Sequence, residues 1–301
     1  MAASDNARVN SLLQSHRRPS EHYENFPVAS WLCPPALRAP IAAIYWFART
    51  ADDLADEGTA DAATRLADLA QYRHDLARAS RGQPDSVRWP GAFAALARAL
   101  AEFRLPLPLL ERLLDAFEQD VRNTDSAWRY PDDAALDDYC SRSANPVGRL
   151  LLHLYGVHDA LSLQRSDQIC TALQLINFWQ DLGHDIARGR WYASRAQMAR
   201  HGVAEAALQR DAPCAAASRM VRDYCHAARE RMCQGAPLAW QLPGRAGWEL
   251  RLVVHGGLRV LERIAAIGHA SWRTRVRIGR RDLPLLLLRA CGPAPTAGRL
   301  P

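Results

Sequence analysis

Ala and Leu supply 92 of the 301 residues, whereas Ile, Val and Thr together supply 27. Ala and Leu favour helices and the β-branched residues favour strands, so this imbalance excludes an all-β fold or a parallel α/β sheet. A single domain of this length can bury about three-quarters of its unfolded surface. No internal repeat or long linker divides the chain. One all-α domain is therefore the expectation.

Periodicity predicts about nine helices. Ala36 to Glu57 carries Leu37, Ile41, Ile44, Tyr45 and Ala48 at helical spacing and ends before Gly58. Asp61 to Arg81 is a second helix, closed by Gly82. Ser86 to Pro90 reads as a linker, followed by Gly91 to Phe103 and, opened by Pro106 and Pro108, Leu109 to about Asn123. Asp132 to Tyr155 is predicted as one helix kinked at Pro146. Ser166 to Ala187 is predicted with Ser166 as its N-cap. Short pieces over Ser194 to Gln209 precede Ala215 to Met232, Ala246 to His269 and a final core helix at Leu283 to Leu288. The domain is expected over residues 19–290, between a flexible segment 1–18 and a disordered tail 291–301.

The sequence holds no run of about 18 apolar residues and no apolar signal core near its start. Its seven cysteines are scattered without a CxxC pair, which suits a reducing cytoplasm. The net charge is +6, and all 38 basic residues are Arg. His269 to Ala290 holds six Arg and one Asp, so the remainder is close to neutral. That distribution argues against a nucleic-acid partner. Two readings of the basic stretch stand open. It is a solvated loop before a core helix, or it touches an anionic membrane surface, placing the protein at the inner membrane's periphery. Arg275 within it has a third option, a contact with the substrate, which only the family resemblance given below implies.

Asp52 and Asp56 lie one helical turn apart, with Arg49 one turn before them. Asn177, Asp181 and Asp185 form a second stripe, extended by Gln174 and followed by Arg188 and Arg190. Stacked carboxylates repel unless a cation sits between them, and oxygen ligands suit Mg²⁺. Acids at a helix C-terminus also oppose the macrodipole, a conflict that marks residues kept for chemistry. The pattern alone is weak, because random order gives roughly one or two DxxxD matches. A third, Asp133 to Asp137, reads as a surface helix start. If the first two stripes face each other across a bundle, they can hold Mg²⁺ against a diphosphate leaving group while Arg residues take the remaining oxygens. The cation left behind needs a dry cavity with aromatic faces. Phe26, Tyr45, Phe47, Tyr139, Phe178 and Trp179 are available for it.

These residues resemble the squalene/phytoene synthase family of head-to-head prenyl synthases, over His22 to about Leu288. The motifs are Phe47 to Glu57, Tyr139-Cys140, Leu173 to Asn177 with Asp181 and Asp185, and Arg188 to Tyr192. The resemblance implies an all-α isoprenoid synthase bundle with a central active-site cavity, Mg²⁺ and a prenyl diphosphate substrate. It implies Asp52, Asp56, Asp181 and Asp185 as metal-binding carboxylates and Asn177 as the accompanying amide. It implies His22, Tyr45, Arg49, Gln174, Arg188 and Arg190 as substrate contacts, and Tyr139 beside the reacting carbons.

Two departures narrow the resemblance. Many members carry Val-Ala-Gly after the Tyr-Cys pair, where this chain reads Ser141-Arg142-Ser143-Ala144-Asn145-Pro146. Asn25-Phe26 stands where Ser-Phe is usual. Both variants resemble a branch that ionises presqualene diphosphate and quenches the cation with water, using no reductant. Ser143 and Asn145 place polar groups beside the expected cation, where a held water could be the nucleophile. Equally, they could serve the Pro146 kink. The alternative activity is condensation of two prenyl diphosphates, which shares every metal ligand.

Overall fold

The computed structural model describes residues 33–296. Among these residues there are fourteen α-helices, one 3₁₀ turn and no strand. They are α1 (Pro35–Asp56), α2 (Ala62–Ala79), α3 (Pro90–Phe103), α4 (Leu107–Asp125), α5 (Asp133–Ser143), α6 (Asn145–Leu154) and α7 (Ala160–Gln180). Then follow α8 (Leu182–Ala187), α9 (Arg195–His201), α10 (Glu205–Gln209), α11 (Ala215–Gly235), α12 (Pro237–Gln241), α13 (Gly244–Ala266) and α14 (Leu283–Ala290). The count exceeds nine because two predicted helices divide and several single turns join them.

Helix α7 gathers its polar residues on no single face, with Ile169, Ala172, Leu173, Ile176, Phe178 and Trp179 buried. A helix without a polar face must be surrounded. It packs on α5, α6, α11 and α13. The buried side chains form two cores. One gathers α1 to α4, through Phe47, Leu69, Leu96 and Leu114. The other is built around α7, through Trp179, Val221, Met232 and Val254.

Three predictions need correction. Ser166 is not an N-cap. The helix begins six residues earlier, where the Asp159 side chain accepts from Ser162 N at 2.9 Å. Ser166 instead lies buried against Gly148 of α6. A Cβ at Gly148 would sit 2.4 Å from Ser166 Oγ and 2.5 Å from Cys170 Sγ. Nor is 166–187 one helix. The chain breaks at Asp181 between α7 and α8. The single helix predicted over Asp132 to Tyr155 with a kink at Pro146 is likewise two, divided at Ala144 between α5 and α6. In the third acidic pair, Asp133 accepts from Ser194 Oγ at 2.7 Å and Asp137 pairs with Arg231, so both acids serve packing.

Close approach at Gly148 has a measurable consequence. Gly148→Ala should cost about 1–3 kcal/mol by overpacking the α6–α7 contact, read as a fall in the thermal midpoint.

Candidate active site

The end of α1 supplies the first acidic cluster. Arg49 Nη1 lies 3.2 Å from Asp52 Oδ2, and its Nη2 lies 2.6 Å from Asp53 Oδ1. Asp56 is matched from across the bundle. Arg188 Nη2 donates to its carbonyl at 3.2 Å, and Arg190 forms an ion pair with its carboxylate.

The second cluster spans the α7–α8 junction. Asp181 N donates to Asn177 O at 2.9 Å, and Asp185 N donates to Asp181 O at 2.9 Å. The three residues thus remain one turn apart through the break. Arg275 grips Asp181 through Nε and Nη2, at 2.5 and 2.7 Å. Its segment is held by backbone contact. A Cβ at Gly183 would lie 2.1 Å from Trp272 O, and Gln180 Nε2 donates to Val276 O at 2.8 Å.

A cavity of about 370 Å³ opens between the two cores. Ile41, Ile44, Tyr45, Phe117, Val147, Leu151 and Leu173 line it, and Arg49, Asp52, Ser143, Gln174 and Asn177 give it polar groups. A narrower apolar pocket of about 80 Å³ shares Ile41, Leu151, Cys170 and Leu173 with it and reaches Leu250 and Val253. Asp56, Arg188 and Arg190 line a third, polar space of about 290 Å³ with Arg65 and Thr124.

The expected site residues divide accordingly. Tyr45, Arg49, Asp52, Gln174 and Asn177 meet at the main cavity. Asp56, Arg188 and Arg190 meet beside it. His22, Asn25 and Phe26 lie outside the described residues. Phe47 and Trp179 belong to the cores. Phe47 stacks on Tyr72 at 5.2 Å, and Trp179 stacks on Tyr224 at 3.9 Å. The two polar residues of the departing segment separate. Asn145 is absent from the cavity lining, and its amide oxygen accepts from Thr171 Oγ1 at 2.9 Å. Ser143 does line the cavity, and its hydroxyl is buried with no hydrogen-bond partner.

Tyr139 is 3% exposed, in an aromatic group with Tyr130, Phe178 and Tyr192. Its hydroxyl donates to Asp120 Oδ2 at 2.7 Å. Burial pushes the Asp120 carboxyl up to about 7, and the charge of Asp52 adds to that, while the Tyr139 bond opposes it. Burial and the neighbouring Asp181 push Asp185 up to about 8, against Arg188 and Arg275. Sequence reasoning missed Asp120. It has no acidic partner at helical spacing. The signal was its register, since it falls four residues after buried Ala116 and seven after buried Leu113.

Among the described residues, no three Asp, Glu, His or Cys side chains converge into a group that could hold a metal ion. The acids are held by arginines instead. The donor set itself is all oxygen, carboxylates and one amide, and that chemistry fits a hard divalent cation.

The family model described as squalene/phytoene synthase matches residues 20–282. A hydroxysqualene synthase of Rhodopseudomonas palustris is 35% identical over 234 residues, covering 76% of this chain and 75% of the relative. A presqualene diphosphate synthase of the same organism is 30% identical over 268 residues, covering 88% and 91%. The crystal structure of squalene synthase HpnC from Alicyclobacillus acidocaldarius superposes with a TM-score of 0.74 at 35% identity, covering 82% of this chain and 90% of that one. With a family model that matches over most of its length and relatives at 30–35% identity, the chain belongs to the squalene/phytoene synthase family.

Proposed function

We propose that the protein is a hydroxysqualene synthase, converting presqualene diphosphate and water into hydroxysqualene and diphosphate. The observation that carries this reading is the Ser143 hydroxyl, buried at the cavity wall without a partner. A buried hydroxyl left unpaired is costly, and rotation of the Ser143 side chain toward the cavity it lines would pair it with a water there. The 35% identity to a hydroxysqualene synthase points the same way. The synthase domain is assigned to residues 19–290, with 1–18 and 291–301 flanking it, in the cytoplasm.

The chain's own residues divide the work. Asp52, Asp56, Asn177, Asp181 and Asp185 would hold Mg²⁺, which supplies charge neutralisation of the diphosphate. Arg49, Arg188, Arg190 and Arg275 now pair with Asp52, Asp53, Asp56 and Asp181. On binding, those arginines turn to the phosphate oxygens and release the acids, so charge stays balanced in both states. The C–O bond breaks with its electron pair leaving on the diphosphate. Ile44, Phe117, Val147 and Leu173 keep bulk water from the resulting cation. The Tyr45 ring offers it a π-face. The cyclopropylcarbinyl cation rearranges, its ring bonds breaking and re-forming to open the cyclopropane and move the positive charge. The water beside Ser143 adds to the rearranged cation through oxygen, and its proton passes to the released diphosphate.

A second reading is condensation of two prenyl diphosphates. The 30% identity to a presqualene diphosphate synthase, over 88% of this chain, favours it. Product analysis with Mg²⁺ and no reductant separates the two. Presqualene diphosphate should yield a C30 alcohol, and farnesyl diphosphate alone should be consumed little. Rapid farnesyl diphosphate consumption favours the second reading. Ser143→Val should keep diphosphate release within about tenfold of the parent and shift C30 products toward eliminated hydrocarbons or rearranged alcohols. An unchanged product ratio removes Ser143 from water capture.

A further inference from the structure

We infer that α14 and the turn before it form a docking surface for an anionic lipid bilayer. The surface is read from its own residues; only its purpose, access to C30 lipid beside the cavity, rests on the proposed function.

The inner face of α14 buries Leu286 and Ala290. Its outer face does the opposite. Leu283 is 50% exposed, Leu287 45% and Leu288 71%, and Pro284 is exposed between them. Positions 283, 284, 287 and 288 follow i, i+1, i+4, i+5 and form one stripe. Single exposed leucines need no explanation, but a contiguous apolar row marks an interaction site.

This helix is not loose. Asp282, 3% exposed, accepts from Arg259 Nε and Arg263 Nη2 at 2.8 Å each and from Gly279 N at 3.0 Å. At the far end Arg289 Nη1 reaches Glu262 Oε1 at 2.7 Å, and Trp240 Nε1 donates to Gly292 O at 2.8 Å. Both ends are clamped to the α12–α13 layer, and the leucines are held outward.

Charge identifies the occupant. Arg277, Arg280 and Arg281 are exposed and form no ion pair with any described residue. Arg273 and Arg275 differ, being paired with Asp211 and Asp181. The one acid between Arg273 and Ala290, Asp282, is buried. The exposed charge of the patch is therefore wholly positive and lies one turn ahead of the leucine row. A bilayer with anionic headgroups answers both features at once, the charge at its surface and the apolar row at the acyl boundary. No helix among the described residues is long and apolar enough to cross a membrane, so the contact is superficial. The patch also begins two residues after Arg275, which grips Asp181 of the site.

The test is co-sedimentation of the full chain with vesicles of phosphatidylcholine alone and of phosphatidylcholine with phosphatidylglycerol. Binding is expected to the anionic vesicles and to weaken with salt. Arg280→Ser with Arg281→Ser should lower that partition about 25-fold, at roughly fivefold per arginine. Leu287→Ser with Leu288→Ser should lower it even at low salt. Both double variants should keep parental helix content and parental turnover of presqualene diphosphate in detergent micelles. Absence of vesicle binding, or equal binding by parent and variants, overturns the inference. So does a concentration-dependent dimer that the leucine variant dissolves without any vesicle binding, which gives the face to a second copy. Vesicle binding as expected without turnover of presqualene diphosphate leaves the surface standing and overturns the proposed activity instead.

Discussion

Asp181→Ala is expected to lower turnover on the order of 10³-fold while leaving helix content unchanged. Asp181 stands at the α7–α8 break, where its backbone still spaces Asn177 and Asp185 one turn away. On the proposed function, losing its carboxylate removes a donor from the oxygen set that would hold Mg²⁺. It also removes one of the three causes, burial, Asp181 and Asp120, that push Asp185 up to about 8. Asp185 therefore ionises more easily in the variant, and folding loses a repulsion rather than a bond. Arg275 forfeits its partner, but at a third exposed it loses only a surface pair, worth about 0–1 kcal/mol. Stability should hold or rise slightly. Asp52→Ala should behave the same way, because Arg49 keeps Asp53 at 2.6 Å. The check is kcat with presqualene diphosphate and Mg²⁺, beside a thermal melt of each variant. Near-parental activity in either one removes the acids from the machinery.

The helices and both acidic stripes were legible because each rests on local spacing. Ala and Leu periodicity survives any tertiary arrangement, and residues four apart share a face whatever surrounds them. What failed was decided by contacts distant in sequence. Ser166 looked like a cap because serine favours that position, yet it faces Gly148 on another helix and Asp159 caps α7. The break at Asp181 was invisible because the 177–181–185 spacing reads the same with or without it. It coincides with the close passage of Trp272 over Gly183. Ser143 and Asn145 were indistinguishable in the sequence. Only the helix junction at Ala144 sends one to the cavity and the other to Thr171. The run Leu283 to Leu288 reads as core by composition, but a helix packed on one face can bury only part of it, and Leu286 is its one buried leucine. Asp120 carried the weakest signal of all, a lone acid on an apolar face.

That lone acid supports the second large effect. Asp120→Asn should lower turnover by about 10²–10⁴-fold yet stabilise the fold at neutral pH. Asparagine keeps an acceptor near the Tyr139 hydroxyl and removes a half-buried charge. The sign follows from the two protonation states. Folding moves the Asp120 carboxyl from about 3.9 in the open chain up to about 7, chiefly by burial. The folded state thus holds this proton more tightly, and its contribution favours folding below pH about 4. That contribution is lost as pH rises through about 7. Asparagine does not titrate, so the variant's advantage in thermal midpoint should grow across that window and then level off. Asp120→Ala makes the contrast. It strips the acceptor as well, leaving the Tyr139 hydroxyl buried and unpaired, which costs about 1–3 kcal/mol. If the Asp120–Tyr139 pair moves or holds a proton during turnover, the kcat profile of the parent should inflect near 7 and lose that inflection in Asp120→Asn. A variant that keeps both the rate and the inflection would show that the carboxylate only packs against Tyr139, and that the tyrosine acts through its ring alone.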